Sequence, residues 1–338
     1  TLPGVFLTPV LGVLADRWGR KTVLIPSLLL VGVAGTACAF TRSFALLLVF
    51  RFFHGVGSAA LGSLNLTIIG DIFEGRRRTA AMGYNGGVLT VGTATYPLVG
   101  GALANFGWNV PFFLPLLALP VALAAWLWMD LERPDTSQTL GTYLKGTLQN
   151  IGDPRLIGLF FANFALLFII FGAYISYFPF VAKQFLGNET LKIGMMMGVA
   201  GLTTAATSFS LGFISRFLSE RRLLHVGFAL YMIGLLLIPF GSELWQVIPP
   251  LVLMGLGQGL GMPTIFSLLS SLAPMERRGA VMSVNGTVLR IGQTLGPLAM
   301  GGLYGLAGLY APFYAAAVLA GVMQVGLYIL VTRRMKKA

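Results

Sequence analysis

Arg51 and His54 stand three residues apart inside the apolar run 44–69, among Phe50, Phe52 and Phe53. On a helix that spacing puts them on one face. A guanidinium within hydrocarbon is costly, so Arg51 faces a polar cavity or a partner, or else snorkels to the outer surface. An imidazole has an ordinary pKa of about 6.5 and can take or release a proton near neutrality; a neutral histidine hydrogen-bonded between helices is the plainer alternative. Arg290 is the second cation within an apolar run, suited to an anionic ligand group, to a carboxylate on another helix, or to structural pairing. All eleven acidic residues fall in loops or at the ends of runs, so none is placed deep in one to titrate there.

Other chemistry is missing. No phosphate-binding Walker loop, no HExxH and no Cys/His cluster occurs. The single cysteine, Cys38, lies in an apolar run, which excludes a disulfide framework. Neither an enzyme, a metal nor a cofactor is expected.

The elements that must position Arg51, His54 and Arg290 follow from composition. The chain has 338 residues, 56% hydrophobic and 10% charged, with a mean hydropathy of +0.82; soluble domains carry about 25% charged residues. That much apolar surface needs lipid as its solvent. The net charge of +12 does not indicate nucleic acid, because the basic residues sit in gaps between apolar runs rather than on a face. A helix needs about 20 residues to cross a bilayer. Apolar runs lie near 1–15, 22–40, 44–69, 80–105, 109–129, 156–182, 193–218, 223–241, 245–273, 280–303 and 309–331, eleven in all.

Lysine and arginine orient them. With the turn at 12–21 placed in the cytoplasm, eighteen basic residues fall inside and three outside (Arg42, Lys183 and Lys192). The C-terminus is then cytoplasmic, and residue 1 starts near the outer face.

The two halves repeat at an offset of 200. Residues 77–101 align without gaps to 277–301 with twelve of 25 positions identical, among them Asn85/Asn285, Gly92/Gly292 and Pro97/Pro297. Parallel repeats of this kind mark transporters. The run 156–182 heads the second half, and its counterpart would precede residue 1. One helix is therefore expected to be absent here. The polar stretch 131–155 divides the halves.

Gly12-x-x-x-Asp16-Arg17-x-Gly19-Arg20-Lys21 resembles the signature loop between helices 2 and 3 of the major facilitator superfamily, with every signature position filled. Leu47-x-x-x-Arg51-x-x-His54-Gly55-x-Gly57 resembles its fourth-helix motif, with His54 at a usual glutamine position. Gly92-x-x-x-Tyr96-Pro97-x-x-Gly100-Gly101 resembles the fifth-helix motif of the drug/proton antiporter branch. There Tyr96 replaces a usual glycine, while the repeat partner Gly296-Pro297 keeps the dipeptide. The likeness covers essentially the whole chain.

The resemblance implies an all-α membrane protein with the major facilitator superfamily fold, eleven transmembrane helices present of an expected twelve, in two pseudo-symmetric halves. Residues 1–130 would form the N-terminal half (family helices 2–6, helix 1 absent), 131–155 a cytoplasmic linker, and 156–338 the C-terminal half (helices 7–12). Gly12, Asp16, Arg17, Gly19, Arg20, Lys21 and Asp71 would make a conformational latch, with Asp16 facing the start of the eleventh family helix and Arg20 paired with Asp71. Arg51, with His54, would serve proton coupling. Three possibilities stand for the coupling itself: an acid on the absent helix, His54 as the titrating group, or no proton coupling. Gly92, Pro97, Gly100, Gly101, Gly296 and Pro297 would pack helices closely.

For a substrate, the aromatic-rich run 156–182 and scattered polar side chains suit an amphipathic molecule better than a sugar. The cavity candidates are Tyr84, Asn85, Asn163, Phe168, Tyr174, Tyr177, Gln258, Asn285, Arg290 and Gln293. The expected function is secondary active, proton-coupled export of small amphipathic or hydrophobic compounds by alternating access. Uptake of a metabolite by a symporter or facilitator of the same superfamily is the alternative. Small-molecule substrate, protons and the lipid bilayer are the expected partners, with no nucleic acid. A monomer in a bacterial inner membrane is expected.

Overall fold

The computed structural model describes residues 2–73, 75–129, 153–272 and 278–332, and the linker at 131–152 lies outside them. The side chains of Asp16, Arg17, Asp71 and Tyr84, and the surroundings of Gly12, also lie outside the described residues.

Among the described residues all regular structure is helical, in eleven rods. In chain order these are α1 (Leu2–Trp18), α2 (Arg20–Ala37), α3 (Phe44–Ile72), α4 (Gly75–Ala104) and α5 (Ala118–Trp128). After the linker come α6 (Pro154–Ile169) and α7 (Ser176–Leu186), one rod joined through a π turn at Ile170–Ile175. The rest are α8 (Thr190–Ile214), α9 (Glu220–Leu237), α10 (Leu244–Leu272), α11 (Arg278–Ala307) and α12 (Ala311–Leu327). Eight of the rods are long and apolar enough to cross a membrane by themselves. Of the rest, α1 has 17 residues, and the glycines, glutamine and arginine of α11 dilute its hydropathy.

Local chemistry sets the ends. Gly19 separates α1 from α2 with φ at 92°, a conformation that strains any residue bearing a Cβ. Ser43 caps α3, its hydroxyl accepting from the Leu46 amide, which answers one orphan amide of the first turn. Asp153 caps α6, accepting from the Arg155 amide at 2.8 Å, with Pro154 filling the first helical position, where no amide is needed. Pro111 and Pro115 explain why the entry to α5, Val110–Leu117, winds as a 3-10 helix.

The helices sort into two compact units. One holds α1, α2, α3, the first half of α4 and α5; the other holds residues 90–102 of α4 with α6 to α12. In the first, Ala15, Val23, Ala60, Leu64 and Ile68 form the buried core. α3 lies close on α2 at Gly57, where a Cβ would stand 2.7 Å from the Ser27 carbonyl oxygen. In the second, Phe178, Phe228, Tyr231, Leu251 and Phe313 are fully enclosed. Large apolar side chains such as Phe209, Leu298 and Val318 point outward, as expected where lipid tails are the solvent and packing, not water exclusion, holds helices together.

Candidate functional site

Four local arrangements hold the candidate residues. At the α1–α2 turn, the left-handed Gly19 reverses the chain so that Trp18, Arg20 and Lys21 gather at one end of the first unit. Arg20 is only 9% exposed despite its charge; Lys21 is half-buried.

Arg51 projects from α3 over the ring of Phe112, its guanidinium carbon 4.7 Å from the centroid. The ring's negative face attracts the exposed cation by about 0.5–1 kcal/mol. Phe112 is brought there by the 3-10 stretch that precedes α5, itself tied to the end of α2 by Asn109 Nδ2 donating to the Ala39 carbonyl at 3.3 Å. Arg51 is itself exposed, with this ring beside it. His54, three residues on, is half-buried against α2. Gly35 makes room for it: a Cβ there would stand 2.9 Å from His54 Cδ2.

Asparagines clasp helices in each unit. In the first, Asn65 of α3 donates to Asn85 of α4. In the second, Asn163 Nδ2 donates to Asn285 Oδ1 at 2.7 Å, tying α6 to α11. Other cavity candidates are placed as follows. Phe168 sits with its ring 5.5 Å from Phe164. Tyr174 is buried, its hydroxyl donating to the Met197 carbonyl at 3.1 Å. Tyr177 lies against Tyr304 with ring centroids 5.3 Å apart. Gln258, Arg290 and Gln293 are half-buried, and Thr294 Oγ1 donates to the Arg290 carbonyl at 2.8 Å.

The glycine motif divides by position. A Cβ at Gly101 would stand 2.5 Å from the Thr190 carbonyl oxygen, and one at Gly194 the same distance from that of Pro97. Thr190 Oγ1 donates to the Gly101 carbonyl across the same crossing of α4 and α8. Around Gly100 no described atom lies within 4 Å of such a Cβ. In the repeat, a Cβ at Gly296 would stand 2.5 Å from the Phe168 carbonyl oxygen, and 3.0 Å from the Gly172 nitrogen; Pro297 beside it is half-buried. Tyr96, at the matching position of α4, is 66% exposed, and a Cβ at Gly92 would meet only the tyrosine's own ring within 3.3 Å.

Sequence reasoning did not find Phe112, Asn65, Met197, Tyr304 or Gly194. A lone asparagine in an apolar run was the available signal for Asn65; the others are ordinary membrane-helix residues.

A profile of the Major Facilitator Superfamily matches residues 1–240 and 160–338. Over 312 residues the chain is 26% identical to the tetracycline resistance protein, class H, of Pasteurella multocida, covering 89% of this chain and 76% of the relative. It is 29% identical over 308 residues to the class G protein of Vibrio anguillarum, covering 89% and 77%. The quinolone resistance protein NorA of Staphylococcus aureus (strain COL) is 22% identical over 350 residues, covering 100% and 86%. Among solved structures, the human organic anion transporter MFSD10 (TETRAN) superposes with a TM-score of 0.70 at 22% identity, covering 96% of this chain and 81% of that one. At that identity the likeness is one of fold.

Proposed function

The chain belongs to the major facilitator superfamily, and from that premise we propose that it exports small amphipathic or hydrophobic compounds in exchange for protons. Members of this family are integral membrane transporters of small molecules, not enzymes. The observation that carries the export reading is the alignment of two tetracycline resistance proteins along 89% of this chain. The fifth-helix resemblance to antiporters supports it.

In this reading the halves 1–130 and 156–338, joined by the linker 131–155, rock about a central site and expose it to each side in turn. The asymmetry of lysine and arginine supports a cytoplasmic C-terminus and linker in a bacterial cell. The protein works as a monomer in the inner membrane. Asp16 faces the start of α11, where a helix N-terminus favours an anion by roughly 0.3–1 kcal/mol, and Arg20 pairs with Asp71. Together they hold the inner side shut. Arg51 senses the protonation state of the cavity, and Asn163, Asn285, Arg290 and the aromatic side chains of α6 and α7 contribute to substrate binding.

Everted membrane vesicles from cells expressing the protein give the test. After respiration quenches a ΔpH dye, adding a lipophilic cationic drug should release part of the quench, and Arg51→Ala should abolish that release. No release, with a rise of drug inside intact cells on expression, would replace export by uptake.

A further inference from the structure

We infer that the preferred substrates are organic anions, aromatic or otherwise apolar bodies whose carboxylate is held by Arg290 and Gln293 on one face of α11. This rests on the export reading above and adds to it the charge of what is exported.

Three faces can be told apart on α11. Asn285, Gly292 and Gly296 lie on the first, which packs on α6 and the π turn: Asn285 bonds to Asn163, and a Cβ at Gly292 would stand 2.7 Å from the Phe164 carbonyl oxygen. Leu295 and Leu298, 45% and 68% exposed, lie on the second, and such side chains suit lipid tails. The third carries Gly286, Arg290, Gln293 and Pro297, at spacings of three and four that keep them in one row. All four are half-buried. A Cβ at Gly286, one turn before Arg290, would meet no described atom within 4 Å, so there is room beside the guanidinium.

A charge at this depth faces water or a partner, not lipid, and the protein supplies no carboxylate for it. Among the described residues the Arg290 side chain has no hydrogen-bond or ion-pair partner. It lies twelve residues, about 18 Å, from the start of its helix at Arg278. The described acids of this half are engaged elsewhere: Asp153 with Arg155, Glu189 with Lys192, Glu220 with Ser267 and Glu243 with Trp245. A guanidinium presents a rigid fork that fits both oxygens of a carboxylate, and the Gln293 carboxamide adds a donor one turn on. A cationic ligand would instead be repelled.

The row also offers a surface for the apolar body. It continues through Gly301 to Tyr304, whose ring lies 5.3 Å from that of Tyr177. The Tyr177 hydroxyl stands 3.3 Å from where a Cβ at Gly301 would be.

The test uses three tritiated compounds of one skeleton: 1-naphthaleneacetate, its amide, and 1-naphthaleneethylammonium. Binding to the purified protein in phosphatidylcholine nanodiscs is read by scintillation proximity. Wild type is expected to prefer the acetate to the other two by about ten- to a hundredfold, as hydrogen bonds to a charged group provide. Arg290→Gln should bring acetate and amide to within a few-fold of each other, and Gln293→Leu should lower the preference a few-fold. Arg290→Lys keeps the charge without the fork and should retain part of the preference; it carries the test if Arg290→Gln does not fold. No preference for acetate in wild type, or an undiminished one in the folded Arg290 variants, overturns the site. Protein-dependent uptake of the same compounds into everted vesicles separates the two readings. Movement of the ammonium without the acetate keeps export and removes the anion as its substrate. A binding preference for acetate with movement of none of the three keeps the anion site and removes export.

Discussion

Asn163 donates its carboxamide to Asn285 across 2.7 Å, and neither side chain has any exposure. Within the described residues, Asn163 Oδ1 and Asn285 Nδ2 have no further partner. Asn285 is the repeat mate of Asn85, which bonds instead to Asn65 on α3. One repeated position thus clasps a neighbouring helix in each unit, but the neighbour differs.

That clasp should be measurable as a coupling. Asn163→Ala leaves Asn285 buried with no acceptor or donor opposite it, at a cost of about 1–3 kcal/mol, and Asn285→Ala should cost as much. The double substitution is expected to fall short of additivity by about 0.6 kcal/mol, the average for polar pairs between membrane helices, and by no more than about 1.7 kcal/mol. Thermal unfolding of the four proteins in detergent gives the cycle. Strict additivity would show that the two amides do not support each other.

The adjacent glycines of α4 should behave oppositely. Gly101→Ala drives a methyl group against the Thr190 carbonyl oxygen, 2.5 Å from where its Cβ must stand, and overpacking of this kind costs about 1–3 kcal/mol. Gly100→Ala meets open space and should stabilise the helix by about 0.5–1 kcal/mol. Melting temperatures of the two single variants decide it; equal shifts would remove the crossing of α4 and α8 as the reason for the motif.

The rods were legible because a bilayer allows little else: long apolar runs between basic turns leave helices as the only economical form. The turn at Gly19 was legible too, since a glycine between Trp18 and Arg20 invites a backbone that other residues resist. Partners were not. Phe112 lies 61 residues beyond Arg51 in a segment rich in phenylalanine, and nothing in its type distinguishes it from Phe113. Two details of local winding were equally hidden. The 3-10 entry to α5 depends on how Pro111 and Pro115 combine, and the π turn at Ile170–Ile175 lies in a run that reads as plain helix. For the site, residue types could propose candidates but could not tell that the Tyr174 hydroxyl is already taken by Met197.

Arg51 and Phe112 can be separated by substitution. Phe112→Leu keeps apolar volume and removes the ring face beneath the guanidinium, a loss of about 0.5–1 kcal/mol. Drug-induced dye release in everted vesicles should fall a few-fold in Phe112→Leu and vanish in Arg51→Ala. Full activity in Phe112→Leu would mean that the ring only shelters the cation and does not position it.

The π turn between α6 and α7 is the last relationship open to a direct test. Gly172 lies within it, and a Cβ there would stand 2.8 Å from the carbonyl carbon and oxygen of Gly296 on α11. The extra residue in the turn frees a carbonyl, and Ser176 Oγ donates to that of Phe171 at 2.6 Å. Such turns are frequent at functional positions. Gly172→Ala should therefore destabilise the protein by about 1–3 kcal/mol through overpacking against α11. Ser176→Ala removes one hydrogen bond within the membrane, worth about 0.6 kcal/mol on average. Measured together by melting and by dye release, Gly172→Ala should impair both, while Ser176→Ala should change transport more than it changes stability. A Gly172→Ala protein that melts like wild type would mean that α11 gives way at Gly296.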